Sequence, residues 1–302
     1  MQGFLASEAG RGTAVVVNEF GEIGIDQALL GPGADKTVLL GNGCLCCVVR
    51  SGLDTTFRQL FADRARGAVP PFVRVVLETS GADDPGPILQ TFLSDRALGR
   101  EYHLQSVVAV VDASRGAKPM QISPEARRQV AVADRIVLTK EDLAGGAARA
   151  EAVAEVRRLN SHAPIASATK GRLPPDFLLT DGPFLPAHGA LVSDEPGKHT
   201  GGLTTFTLEL AGVQRWPILA ATLNFLADLR GDALLRVKGL VAVEGCRGPV
   251  VVQAVQHLLH PPMELEAWPA EDRRSRLIFI TAGLGRAEVE ALFAAVAALN
   301  RA

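Results

Sequence analysis

The sequence has no stretch of about 18 uninterrupted apolar residues, which argues against a membrane span. Its first ten residues, Met1 to Gly10, lack the basic start and long apolar core of a signal peptide. It also lacks a charge of dominant sign. Its 31 basic and 33 acidic residues leave a net charge of -2, with no run of five or more like charges. That excludes an evident nucleic-acid surface. A phosphate ligand remains open, because backbone N–H groups can hold one without a basic patch. There is no G-x-S-x-G elbow and no H-E-x-x-H helix, and the histidines at 103, 162, 188, 199, 257 and 260 are scattered. Cysteine is scarce as well. Three of the four cysteines crowd into Cys44-Leu45-Cys46-Cys47, so they cannot form a disulfide framework. Such a cluster fits a reducing compartment, and the chain reads as cytoplasmic.

What is present is an ordinary globular composition. The 302 residues, 47% hydrophobic and 21% charged, suffice for two domains with sizeable cores. The first two thirds alternate short β-branched runs with helix-length segments. The runs are Thr13–Val17, Val73–Leu77, Ser106–Val111 and Arg135–Leu138, and the helices are expected over Thr55–Ala65, Pro87–Ser94 and Gly146–Leu159. This order suggests an α/β domain with a mostly parallel sheet covered on both faces. Asp84-Pro85, with Pro87 following, reads as a capped helix start. Pro183 to Gly202 is rich in proline, glycine and polar residues and reads as a linker. Beyond it, strands at Leu203–Leu210, Arg236–Glu244, Val250–His257 and Arg276–Ile280 join helices at Pro217–Leu229 and Ala287–Leu299. That order suggests a small α+β domain with an antiparallel sheet.

Three segments carry chemistry. Thiolates are preferred ligands of Zn²⁺ and Cu⁺, and Gly43-Cys44-Leu45-Cys46-Cys47 supplies at most three. Such a site is incomplete alone and suits a metal that must leave again. Glu22, in Asn18-Glu19-Phe20-Gly21-Glu22, is a candidate oxygen donor. Buried cysteines used for packing are the bland alternative, although Gly43 and the polar Asn42 argue against a core strand here. Second, Leu77-Glu78-Thr79-Ser80-Gly81 puts a carboxylate and two hydroxyls at a strand's carboxyl end, where open α/β sheets bind ligands and Mg²⁺ can be held. A capping turn is its alternative. Third, Thr139-Lys140-Glu141-Asp142 follows another buried strand. The lysine stem can lie along a purine, and the aspartate two residues later can accept from guanine N1–H and the 2-amino group. A solvated turn is the alternative. A loop at Ser167–Gly171 is expected to cover the base's other edge. Cys246 reads as incidental, at a turn between strands.

In this order the segments Asn18–Asp26, Gly43–Cys47, Glu78–Pro85 and Thr139–Asp142 resemble the CobW-like GTPase metallochaperones. Arg236–Leu240 and Val250–Gln256 are similar to the CobW C-terminal domain. The resemblance runs over nearly the whole chain. It implies a GTPase domain at 1–185, a linker at 186–202 and a C-terminal domain at 203–302. It also implies GTP binding and hydrolysis coupled to delivery of zinc, in some members cobalt, to a client metalloprotein through the C-terminal domain. The metal would sit at Cys44, Cys46 and Cys47 with Glu22. Mg²⁺ would lie near Glu78 as the catalytic carboxylate, and guanine at Thr139, Lys140 and Asp142.

One departure stands out. The family opens with a strand, a GxxGxGKTT loop and a helix, and this chain contains no G-x-x-x-x-G-K-[ST]; Pro196-Gly197-Lys198-His199-Thr200 does not fit. The expectation is that the true start lies upstream. A paralogue that has lost hydrolysis is the other reading. Without the strand, its neighbours would carry unpaired backbone groups and bare apolar faces. Three functions therefore stand side by side: a metal-releasing GTPase, a metal-binding module without hydrolysis, and a thiol redox sensor.

Overall fold

The computed structural model describes residues 2–5, 7–18, 38–40, 44–48, 52–95, 97–102, 104–173, 177–178, 203–256, 258–259, 261–269 and 271–299. The first domain begins with helix α1 (Gln2–Leu5), followed by strands β1 (Thr13–Asn18), β2 (Val38–Leu40) and β3 (Cys44–Val48). Helix α2 (Leu53–Ala65), strand β4 (Arg74–Thr79), helix α3 (Pro85–Ser94) and the short α4 (Leu98–Glu101) come next. Then follow β5 (Val108–Asp112), α5 (Lys118–Ile122), α6 (Pro124–Val132), β6 (Arg135–Thr139), α7 (Gly146–Leu159) and β7 (Ile165–Ala168). The second domain runs β8 (Leu203–Leu210), α8 (Trp216–Arg230), β9 (Leu234–Ala242), β10 (Pro249–Val255), β11 (Leu258–Leu259), β12 (Met263–Glu264), β13 (Ser275–Ala282) and α9 (Arg286–Leu299).

β1 is the buried axis of the first sheet, whose order is β2-β3-β1-β4. It pairs in parallel with β3 on one side and β4 on the other. Alternate residues of a strand face opposite sides, and here each side has its own cover. Ala14 and Val16 pack with Phe57 and Leu60 of α2, while Val15 packs with Phe4 and Leu5 of α1. Phe57 meets Phe92 and Tyr102 edge to face, with ring centroids 4.6 and 5.1 Å away.

Residues 44–48 form a strand, although Gly43 and the polar Asn42 argue against one. The β-branched run of β1 offers a ladder to whatever lies beside it, and that pairing overrides the local glycine signal. The α/β layout was expected, but the single sheet is divided in two. β5, β6 and β7 make a separate three-stranded parallel sheet, and among the described residues no strand joins β4 to β5. Helix α3 spans the division: its Leu89 belongs to the core of the second sheet and its Phe92 packs on the first. At the divided edge Val110 is 67% exposed, although Ala109 and Val111 beside it are buried. α3 starts as the sequence suggested. Asp84 caps it by accepting from the Gly86 N–H at 2.9 Å, with proline in the first turn.

Buried polar groups hold the second sheet. Asn160, at the end of α7, donates to the carbonyls of Val130, Ala131 and Ala133 at 2.9, 3.2 and 2.8 Å. Its Oδ1 accepts from the N–H groups of His162 and Ala163. One side chain thus closes α6 and the turn after α7.

The second domain folds as expected into an antiparallel sheet, β11-β10-β9-β13-β8, with β12 added to β10. Its core includes Leu219 and Leu223 of α8, Val237 and Val241 of β9, Leu277 and Phe279 of β13, and Val289 of α9. Gly239 is required in β9, because a Cβ there would lie 1.9 Å from the Arg276 carbonyl oxygen. The two domains share a core as well: Leu203, Leu235, Val255 and Ile280 join the cluster built on β5 and β6. At that seam Asp134 is buried. It receives both Arg236 Nη2 contacts at 2.9 and 2.8 Å and Lys238 Nζ at 2.7 Å. Burial works to raise the Asp134 carboxyl, but the charges of Arg236 and Lys238 hold it below the usual carboxylate range.

Candidate nucleotide and metal site

Parallel strands place their carboxyl ends along one rim. In the first sheet Asn18 of β1 stands in register with Thr79 of β4, and in the second Asp112, Thr139 and Ala168 form one row. Two of the three chemistry-bearing segments sit at these ends, and the third is a strand of the first sheet.

Positions 45 to 48 of β3 register with Ala14, Val15, Val16 and Val17 of β1. Strand alternation then puts positions 44 and 46 on one face of the sheet and position 47 on the other. On β4, Val76 registers with Val15 and Glu78 with Val17. Positions 46 and 78 therefore share a face, two ladder steps apart with β1 between them, or about 10 Å across the strands. Glu22 lies outside the described residues, as do the Glu19–Asp26 part of its segment and His199 of the linker.

Glu78 and Thr79 are exposed at the end of β4. Ser80 turns inward on itself: its N–H donates to Asp83 Oδ2 at 2.9 Å and its hydroxyl accepts from the Ala82 N–H at 3.2 Å. The capping turn and an exposed strand-end carboxylate thus coexist in one segment. Gln129 of α6 donates to the carbonyls of Gly81 and Asp83, and Arg128 pairs with Asp84, so the turn is tied to α6.

Thr139 to Asp142 is the most built of the three segments. The Thr139 hydroxyl donates to the Val111 carbonyl at 3.2 Å. Lys140 adopts φ 55°, which few side chains other than asparagine and aspartate take readily. Its Nζ lies 2.8 Å from Asp112 Oδ2. Glu141 is engaged by Arg149 and by the Ser167 hydroxyl, and these bonds hold its carboxyl below the ordinary value against the effect of burial. Asp142 is exposed and takes no part in these contacts. The loop expected at Ser167–Gly171 starts later, because Ser167 and Ala168 complete β7 by pairing with Leu138 and Thr139. The turn itself is Thr169 to Arg172, with Lys170 and Gly171 both at positive φ, as a tight two-residue hairpin turn requires.

Motif reading missed Asp112, Ser114 and the Asp134 seam. Asp112 directly follows the apolar run ending at Val111, which was the one available signal. Cys246, set aside as incidental, is half-buried in the second domain with its thiol against Glu264. Desolvation and that carboxylate push it above the ordinary thiol value. Beside it lies an open hollow of about 690 Å³ whose walls include Arg215, Glu244, Arg247 and Trp268.

Comparison with known proteins gives consistent matches across both domains. Residues 1–167 match the family "CobW/HypB/UreG, nucleotide-binding domain", and residues 203–297 match the "Cobalamin synthesis protein cobW C-terminal domain". The zinc chaperone YjiA of Escherichia coli is 32% identical over 295 residues, covering 96% of this chain and 91% of that protein. The zinc chaperone CobW of Pseudomonas aeruginosa is 29% identical, over 94% of this chain and 84% of its own. The crystal structure of the Zn(II)-bound YjiA GTPase from E. coli superposes with a TM-score of 0.69 at 29% identity, covering 95% of this chain and 90% of that one. A variant of that GTPase with one glutamate and two cysteines changed to alanine, also Zn(II)-bound, gives a TM-score of 0.70 at 30% identity, over 96% of this chain and 91% of that one.

Proposed function

This chain belongs to the CobW/HypB/UreG family, and from that premise we propose that it is a GTP-dependent metallochaperone that carries zinc, or cobalt, to a client metalloprotein. The domains would run 1–185 for nucleotide and metal, 186–202 as linker and 203–302 for the client. The observation that carries the reading is the cysteine strand itself. Cys44–Val48 is hydrogen-bonded to β1, which is hydrogen-bonded in turn to the strand ending at Glu78.

In this reading the cargo ion takes thiolates from among Cys44, Cys46 and Cys47 and an oxygen from Glu22. The relatives named zinc chaperones support zinc as cargo. Guanine would be taken by Thr139, Lys140 and Asp142. Mg²⁺ calls for exposed oxygens with room for its waters. Glu78 and Thr79 fit that demand and would hold the ion, with Glu78 as the catalytic carboxylate. A nucleotide-dependent movement at the end of β4 reaches β3 through a ladder both share, so nucleotide state and metal grip can be linked. The reading sets the protein in the cytoplasm; among the described residues no helix is long and apolar enough to cross a membrane.

Reduced protein titrated with zinc against a chromophoric chelator tests this. The parent should bind one more tight equivalent than the Cys44→Ser/Cys46→Ser/Cys47→Ser variant; equal stoichiometry would sink the metal reading. Counting equivalents matters because the YjiA variant lacking its cysteine pair is itself described as zinc-bound. A second reading, a metal-binding module without hydrolysis, rests on the absence of G-x-x-x-x-G-K-[ST] from these 302 residues. It predicts weak or no GTP turnover by this chain, and turnover like that of an intact G protein would contradict it. A redox sensor would instead lose free thiols at Cys44, Cys46 and Cys47 on mild oxidation without any zinc dependence.

A further inference from the structure

We propose that Asp112 is a positioning residue of the guanine site, holding the Lys140 side chain stretched so that its stem forms one wall for the base. This rests on the guanine reading of Thr139–Asp142. Asp112 ends β5 in register with Thr139, the last residue of β6, so it stands beside the loop that follows. One carboxylate oxygen is already committed. Oδ1 accepts from the Ser114 N–H at 3.0 Å and from the Ser114 hydroxyl at 2.6 Å, which fixes the plane of the group. Oδ2 is thereby aimed at Lys140, whose Nζ it meets at 2.8 Å.

The backbone of Lys140 and the far end of its side chain are thus both set. Its φ of 55° turns the residue out of the strand direction, and Asp112 pins the ammonium at the other end. Between the two fixed ends run four methylenes, an apolar edge that would otherwise sample many rotamers. The side chain remains 57% exposed, so one flank is free to meet a ring. Among the described residues no other carboxylate pairs with the ammonium. Glu141 is bound by Arg149 and Ser167, and Asp142 is left to read the base edge. Partial burial alone would raise the Asp112 carboxyl, but Lys140 and Ser114 outweigh it and keep it below the usual range, so the group is charged at neutral pH.

The test measures binding of guanosine and adenosine, nucleosides without phosphates, to the full chain by calorimetry or ligand-observed NMR. The readout is the ratio of the two affinities, which a general loss of stability would not shift selectively. Asp112→Asn should cut the guanosine preference about threefold to tenfold, the range expected for losing one exposed charge-assisted contact and the order it imposes. Asp112→Glu should restore part of it, and raised salt should lower the preference in the parent but not in Asp112→Asn. In a Lys140→Met background, which keeps the stem and removes the ammonium, Asp112→Asn should have no further effect. If Asp112→Asn fails to fold, Ser114→Ala, which removes one of the two hydrogen bonds to Oδ1 and leaves the backbone N–H in place, should give a smaller loss in the same direction. A parent that prefers guanosine beside an Asp112→Asn protein with the same ratio overturns the positioning role alone. A parent with no preference overturns the guanine reading and this proposal with it.

Discussion

The two domains solve the sheet problem in opposite ways. In the second domain β9 and β13 are paired on both sides, and their inward residues close on α8 and α9 in a single core. In the first domain the described strands fall into two sheets, and among the described residues β4 and β5 each end as edges. The candidate ligand-binding residues gather in the divided domain, on the cysteine strand and at the strand ends bearing Glu78 and Lys140. A sheet closed on its own core thus stands beside one whose strand ends carry the candidate chemistry. The Asp134 seam lets one support the other, since a carboxylate from the divided domain seats two cations of the closed one.

Removing that seam should have the largest effect. Asp134→Ala leaves Arg236 and Lys238 buried without their counter-charge and should cost about 3–5 kcal/mol in chemical denaturation. The domains should then unfold in separate steps; a single unshifted transition would break the comparison. The same carboxylate sets an acid limit. Its folded-state pKa lies below that of an ordinary aspartate, so its stabilising contribution is complete above the ordinary carboxylate range and is lost as the pH falls through the folded value. Stability of the parent should therefore drop in that acid window, and the Asp134→Ala protein should show a shallower drop there. Next in size, Asn160→Ala removes a partner from three carbonyls at the end of α6 and from two N–H groups in the turn after α7, and should cost about 1–3 kcal/mol. Its effect should fall on the second sheet, read as faster amide exchange in β6 and β7. In the parent, amides of β4 and β5 should exchange before those of β9 and β13, with opening free energies lower by about 1 kcal/mol or more. Equal protection would mean that the division of the sheet carries no energetic cost. The smallest change is expected on the surface. Arg58→Ala removes the exposed partner of Asp95, which still accepts from the Ala97 and Leu98 N–H groups, and should cost less than about 1 kcal/mol.

Much of this contrast could be read from the residues. The helix at Gly146–Leu159 and the strand at Leu203–Leu210 have the expected bounds, because periodicity and flanking glycines are local signals. Asp84 as a cap was likewise local. Three things were not legible, and each depends on distant partners. Cys44–Val48 is a strand because β1 lies beside it, although Gly41-Asn42-Gly43 reads as a break. Asp112 meets Lys140 only through the register of β5 with β6, 28 residues apart. Asp134 finds Arg236 and Lys238 across more than a hundred residues. The candidate site was legible in its residue types, since cysteines, Glu78 and Lys140 stand out by chemistry. The groups that orient them were not, because an orienting residue has no signature of its own.

The account's central claim is that the cysteine strand of the divided domain holds the cargo ion. X-ray absorption spectroscopy on the reduced protein loaded with one equivalent of zinc tests it most directly. Two or three sulfur ligands at about 2.3 Å, completed by oxygen or nitrogen and lost in the Cys44→Ser/Cys46→Ser/Cys47→Ser variant, is the predicted result. A first shell of oxygen and nitrogen alone would contradict it.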